Sequence, residues 1–438
     1  MPINHSTSTL GSWCATLRAA LRSRLGHNIL ALYAVQTLNY VLPLVVLPYL
    51  LRVLGPHTYG SIAFAQSFMG YAVILTDFGF NLSATRAVSL ARDAPTELAR
   101  VFWSTLAAKL LLLLLSIAII VPAIILVPVF REQWRVFAVC ALLVAGAIAF
   151  PQWYFQGLER MRTVAAIHVL TRIASLIATF TLVRSSSDQL IAAAILSTPT
   201  VLAAIGCVIA ILLKAPVQFY RPRLVDVQGA FASSWHLFLS SAAVLLYLNT
   251  NSFLLGLMSG TYAVALYTVA NKIAIAAFNF LGPVMQAIFP RASLVLRRPS
   301  EEGKAFISRL ALALLPVAAA LSLAIFGFAP WIIQFVGGVK FAAAVPVLRV
   351  MALLPFVLTC ATLLAQVVMV NVGLAKALSR VYLFVGIVNL AILPALIHHL
   401  QAAGAALALV IAETLGPALM IYAIRHARTF SPADEPSR

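Results

Sequence analysis

Residues 110–130 read LLLLLLSIAIIVPAIILVPVF, with one serine and two prolines as the least apolar members. No helical or strand period leaves such a run a polar face. It has the length of a membrane crossing, about 20 residues at 1.5 Å each through a core of roughly 30 Å. In lipid, every backbone N–H and C=O must be satisfied within the protein, so only helices and closed barrels can span. Barrel strands alternate polarity over about ten residues, and this run does not alternate. The chain is therefore read as helical and membrane-embedded.

Comparable runs recur throughout. Twelve spans are predicted at 29–51, 59–80, 101–127, 134–157, 164–183, 189–213, 233–257, 261–289, 305–335, 343–370, 377–399 and 402–424. The connections are short, and no soluble domain fits between them. Composition agrees: 62% of the 438 residues are apolar and 10% charged, against roughly a quarter charged in soluble domains. The segment before residue 29 is basic, but no small-residue cleavage site follows the first run, so that run is read as a retained span.

The net charge of +18 could suggest nucleic acid, yet its distribution reads as topology. Of thirty Lys and Arg, 21 fall on the side of the two termini, six fall on the other, and Lys109, Arg172 and Lys272 lie inside spans. Basic loops stay in the cytoplasm and suit an anionic inner leaflet. Both termini are thus expected there, with no nucleic-acid partner. The organisation expected is a basic segment 1–28, a first lobe 29–213, a linker 214–232, a second lobe 233–424 and a tail 425–438. Six spans per lobe would relate the lobes by a pseudo-two-fold axis along the membrane normal. A weak internal match supports this: LGPHTYGSIAF at 54–64 against LGLMSGTYAVALY at 255–267, with Leu-Gly aligned.

Charges inside spans are costly and normally face a cavity or a partner. Lys272 lies deepest, about 16 Å into the eighth span, with Glu413 at a similar count into the twelfth. Arg172, Lys109 and Asp77 are shallower. Snorkelling and internal ion pairs are the competing explanations, least so for Lys272. Gln36, Asn39, Gln66, Asn249, Asn251 and Asn271 could line a cavity or join helices. Pro43 and Pro48 stand close together in the first span and suggest a hinge. Cys14, Cys140, Cys207 and Cys360 are scattered, so no disulfide or metal pattern arises. No hydrolase, zinc-protease or nucleotide motif occurs in a usable context. An enzyme is not expected.

Three stretches resemble a known family. LNYVLPLVVLPYLLRVLGPHTYGSIAFAQSF at 38–68 with TDFGFNLSATRAVSLARD at 76–93, FPQWYFQGLERMR at 150–162, and PVMQAIFPRAS at 283–293 are similar to motifs of polysaccharide biosynthesis membrane proteins. These match the O-antigen flippase group of the multidrug/oligosaccharidyl-lipid/polysaccharide exporter superfamily. The resemblance implies an inner-membrane carrier that moves an undecaprenyl-pyrophosphate-linked oligosaccharide to the periplasmic leaflet by alternating access. Its cavity would be lined by spans one, two, seven and eight. Substrate candidates are then Lys272, Arg172, Arg52, Lys109, Gln36, Asn39, Gln66 and Asn271. No cofactor is implied. Proton or sodium coupling would fall to Glu413 or Asp77. A polysaccharide polymerase and a chain-length regulator are the protein partners implied. The alternatives are a cation-coupled multidrug-and-toxin exporter, disfavoured by the basic deep charges, a polymerase or ligase, disfavoured by the short loops, and a lipid II flippase, a group that usually has fourteen spans.

Overall fold

The computed structural model describes residues 24–214, 217–295 and 301–427. For 24–44 and 240–248, and for a few positions near 214, between 283 and 304, and at 427, the side chains lie outside that description. Every regular element among the described residues is a helix. Nine helical stretches among the described residues are long and apolar enough to cross a membrane. Three carry two spans each: Arg24–Asp77 breaks at Gly55, Leu224–Asn279 at Gly260 and Ala375–Ala427 at Gln401. A straight helix of 54 residues would reach about 81 Å, far beyond a bilayer core of roughly 30 Å, so a break is obligatory. With these three divided, each of the twelve apolar segments is found as helix.

The glycine breaks share one backbone conformation, φ 75°, ψ 174° at Gly55 and φ 79°, ψ 178° at Gly260. Only glycine populates that region freely. The internal sequence match had set Gly55 against Gly256, and the structure shifts it. Gly256 is helical, and a Cβ there would overlap the Phe64 ring. Gly260 is the structural counterpart of Gly55.

Other boundaries also move. The second span ends at Asp77, where Phe78 (φ 43°) and Gly79 (φ 74°) turn the chain into a separate helix, Phe80–Ala91. The fourth span is three short helices, Trp134–Cys140, Leu142–Ala149 and Gln152–Gly157. Pro151 lacks an N–H and holds Phe150 extended, which accounts for the last gap. The eighth span stops at Asn279, short of the expected 289, and a new helix, Gly282–Val295, follows. The tenth ends in a π-helical stretch, Leu363–Met369.

The helices Arg24–Asp77 and Leu224–Asn279 form the centre of the molecule. Gly60 rests on the Thr261 backbone. Below it, Phe253 stacks on Phe68 with ring centres 5.6 Å apart, and the Tyr71 and Thr250 hydroxyls meet at 2.8 Å. At the far end Phe78 stacks on Phe238 at 4.4 Å, and Ser83 meets Ser234 at 2.6 Å. Large apolar side chains such as Leu126 and Trp331 point outward on the third and ninth spans, 77% and 76% exposed, as a lipid-facing surface requires. Between lipid-bathed helices, close packing and polar contacts replace the hydrophobic drive. The small residues at Gly60 and Gly256 sit where the helices approach closest.

Candidate translocation site

The end of the molecule that carries Gly55 and Gly260 is sealed. Leu51, Tyr59, Phe64, Leu255, Val264 and Tyr267 are all buried in one core cluster there. His57 and Tyr262 bring their rings within 5.1 Å across the halves. Arg52 is exposed, and its guanidinium donates a hydrogen bond to the Phe335 carbonyl on the ninth span. Arg52 thus ties the first span to the second half of the chain.

The eighth span passes out of this seal midway. Ala263, Val264, Ala265, Leu266, Tyr267, Val269 and Ala270 are buried, whereas 275–280 are all partly or fully exposed. Lys272 stands at the transition and is itself exposed. It lies twelve residues past Gly260, about 18 Å along the helix. A helical side chain leans toward its own N-terminus, here toward the seal. Its Nζ donates to the Tyr59 hydroxyl at 2.8 Å and lies 5.4 Å from the centre of the same ring.

A polar layer crosses the second half at the same height. Asn251 and Asn271 lie nine and eleven residues from Gly260, and Asn389 and Glu413 each lie twelve from Gln401. That sets all four about 14–18 Å from the breaks. Asn251 and Asn389 are fully buried; Asn251 has the Tyr267 hydroxyl beside it, whereas the amide atoms of Asn389 and the Asn271 carbonyl oxygen have no hydrogen-bond partner among the described residues. Tyr267, 1% exposed, faces Asn251 and the charge of Glu413. Tyr382, two turns from Asn389 on its helix, faces the same carboxylate. Buried amides without partners are rare and call for an explanation.

The remaining candidates are spread through the first half. Lys109 is buried, 2% exposed; its Nζ donates to the Ala147 carbonyl at 3.2 Å and faces the charge of Asp77. Asp77 Oδ1 accepts from Asn81 at 2.6 Å. Lys109 and Asp77 thus sense each other's charge inside the first half, away from Lys272. Arg172 is partly buried beside His168 on the fifth span. Gln66 is partly buried on the second. Pro48 lies in a stretch with helical dihedrals, and the break of that helix is at Gly55. The side chains of Gln36, Asn39 and Pro43 lie outside the described residues. Sequence reading missed Tyr59, Tyr267 and Asn389. Asn389, alone in the apolar run GIVNLAILP, carried the same signal as Asn271.

At the far end, a cleft of about 280 Å³ opens between the halves, lined in part by Phe80, Ser83, Arg100, Ser104, Asp226 and Ser233. Arg100 pairs with Glu97 at 2.5 Å and lies 3.7 Å from Asp226. The Arg223 backbone N–H and the Tyr220 hydroxyl both donate to Asp226, which holds its carboxyl below the usual carboxylate range; Arg100 and Arg223 add to this. The Trp103 indole N–H donates to the Gln218 carbonyl at 3.0 Å, tying the linker to the third span.

These features define a multi-pass helical membrane protein with one sealed end and a central cation where the seal gives way. Solved structures share the fold. An inward-facing multidrug resistance transporter of the MATE family matches with a TM-score of 0.68 at 17% identity, over 91% of this chain and 96% of its own. The lipid II flippase MurJ in an inward closed conformation also gives 0.68, at 12% identity, over 90% and 87%. The sequence places the chain more narrowly. Residues 25–296 match the model of the polysaccharide biosynthesis protein family, and the chain belongs to that family. Proposed O-antigen transporters of Escherichia coli (strain K12) and Shigella dysenteriae are 29% and 30% identical over 92% and 91% of the chain, and over 97% and 99% of their own lengths. Family and relatives are carriers, so the polymerase and ligase readings fall away.

Proposed function

We propose that the protein is a flippase that moves an undecaprenyl-pyrophosphate-linked oligosaccharide, an O-antigen or similar repeat unit, from the cytoplasmic to the periplasmic leaflet. Lys272 carries this reading: an exposed ammonium at mid-depth, on the wall between the halves, in a chain whose relatives are named for O-antigen transport. An ammonium there costs at least ~2.5–3.5 kcal/mol in lipid, which an incoming phosphate offsets. The sugars need a wet path and the prenyl tail does not. Lipid can keep the tail while the headgroup travels between the halves.

In this reading both termini and the cleft at Arg100 face the cytoplasm, and the Gly55–Gly260 seal faces the periplasm. Twenty-one basic residues on the terminal side support that orientation. Transport then proceeds by alternating access, with the seal opening as the cytoplasmic end closes. Glu413, with the amide oxygens of Asn251 and Asn389, would supply oxygen ligands for sodium coupling, and Glu413 alone the proton acceptor for proton coupling. The polysaccharide polymerase and chain-length regulator are the protein partners that would take up the product. A multidrug exporter is disfavoured, because an organic cation is repelled by Lys272.

The test is reconstitution in proteoliposomes with a pyrophosphate-linked glycolipid, scored by an impermeant lectin on the far leaflet. Flipping that depends on the protein and on the pyrophosphate is expected. Equal flipping of a neutral glycolipid, or drug resistance on overexpression without flipping, overturns the assignment.

A further inference from the structure

The Tyr59–Lys272 hydrogen bond joins the halves at the edge of the seal, and its two ends differ in kind. Tyr59 is 2% exposed, with its ring fixed in the core of the sealed end. Lys272 is exposed, and its ammonium reaches the tyrosine across the boundary between the halves. Beside this bond Gly60 presses on Thr261 and His57 approaches Tyr262. The bond therefore lies at the inner edge of the surface that must part if this end opens.

A phenol hydroxyl is a neutral acceptor. A phosphate oxygen carries charge, so it adds the attraction of opposite charges to the hydrogen bond from the ammonium. We propose that Tyr59 is the internal stand-in for the substrate's phosphate and therefore a second residue that reads it. In the empty carrier the hydroxyl accepts from Lys272 and helps hold the seal. A phosphate oxygen entering at Lys272 displaces the hydroxyl, and Tyr59 turns its O–H to donate to the same anion. The bond between the halves is exchanged for two bonds to the ligand. Occupancy and release of the seal become one event, because the ligand favours the state in which the bond is broken. A neutral headgroup cannot make the exchange, so discrimination for the anion is built into the seal.

This inference rests on the flippase reading but is read out separately from it. Spin labels at Ser187→Cys and Val339→Cys, exposed positions on opposite halves at the sealed end, report its opening in nanodiscs. The background replaces Cys14 and Cys360 by serine. Undecaprenyl pyrophosphate is the probe, with a neutral undecaprenol control. Wild-type protein is expected to give one short distance when empty and to gain a longer one with the pyrophosphate only. Tyr59→Phe keeps the ring and removes the hydroxyl. It is expected to show the longer distance while empty, its open-to-closed ratio raised about ten-fold, the scale of one hydrogen bond to a charged group. It should also respond less to the probe. Tyr59→Phe with the wild-type distribution when empty overturns the proposal, as does equal opening of both proteins by the probe. A wild-type protein that ignores the probe while empty Tyr59→Phe opens overturns the pyrophosphate assignment and upholds the seal bond. Tyr59→His is the second variant: a polar side chain at 59 that restores the closed empty state supports the hydrogen bond over packing, and one that leaves it open overturns it.

Discussion

Gly60 and the Thr261 carbonyl are in direct contact across the two halves, with no space between them for a methyl group. The partner is backbone rather than a flexible side chain, so Gly60→Ala must push the halves apart. We expect normal insertion, a longer Ser187–Val339 distance in the empty protein, and at least ten-fold slower flipping. An unchanged distance would show that the halves do not close on this contact.

Lys272 separates charge from shape. Lys272→Ala is expected to reach the membrane at normal abundance and to lose surface polysaccharide by at least ten-fold when it replaces the native protein. Lys272→Arg retains a cation and should keep partial function. Abundance measured beside polysaccharide distinguishes lost transport from lost protein, and full complementation by the alanine variant would remove Lys272 from the path.

Lys109 should behave in the opposite way. It is buried against the Ala147 carbonyl and faces the charge of Asp77, so Lys109→Met leaves the Asp77 carboxylate without its compensating charge. Lys109→Met is expected to lower the Tm in detergent and the membrane level. Asp77→Asn added to it should recover most of both, because no unbalanced charge remains. A double variant as unstable as the single one would count against this charge compensation.

Glu413 is the test of ion coupling. Glu413→Gln keeps the shape of the polar layer and removes the charge. Flipping in proteoliposomes is expected to fall about ten-fold and to lose its response to an imposed sodium or proton gradient. If the response survives, coupling lies elsewhere.

The linker contact at Asp226 has a definite pH dependence. Its carboxyl is held below the unfolded value of about 3.9 by the Arg223 N–H and the Tyr220 hydroxyl. A depressed carboxylate contributes stability that is fully present above the unfolded value and is lost as pH falls through the folded one. A spin label at Val217 should therefore stay immobile down to about pH 4 and become mobile below it. Asp226→Asn should remove the pH step.

The architecture was legible because lipid leaves few choices: LLLLLLSIAIIVPAIILVPVF can only be a helix there, and 54 residues between Arg24 and Asp77 can only be two crossings. Gly55 and Gly260 were visible as residues but not as counterparts, since the short match aligned Leu-Gly pairs and slid past the true break. The break at Gln401 fell in the gap drawn between spans 377–399 and 402–424, although nothing in the sequence marked a non-glycine residue there for φ 48°. Lys272 was found because a mid-span charge is conspicuous. Tyr59 was not, since a tyrosine near a helix end looks interfacial and its partner is 213 residues away.

The hairpin broken at Gln401 bears on how the chain is made. A span with a glutamate at its middle enters a bilayer poorly by itself, and the eleventh span emerges from the ribosome first with Asn389 at its own midpoint. Because both residues stand twelve positions from Gln401, the two helices bring them to one level as soon as the turn closes, and Asn389 can shield the carboxylate before the rest of the second half has assembled around it. The hairpin Ala375–Ala427 is thus suited to enter the bilayer as a pair rather than as two solitary helices.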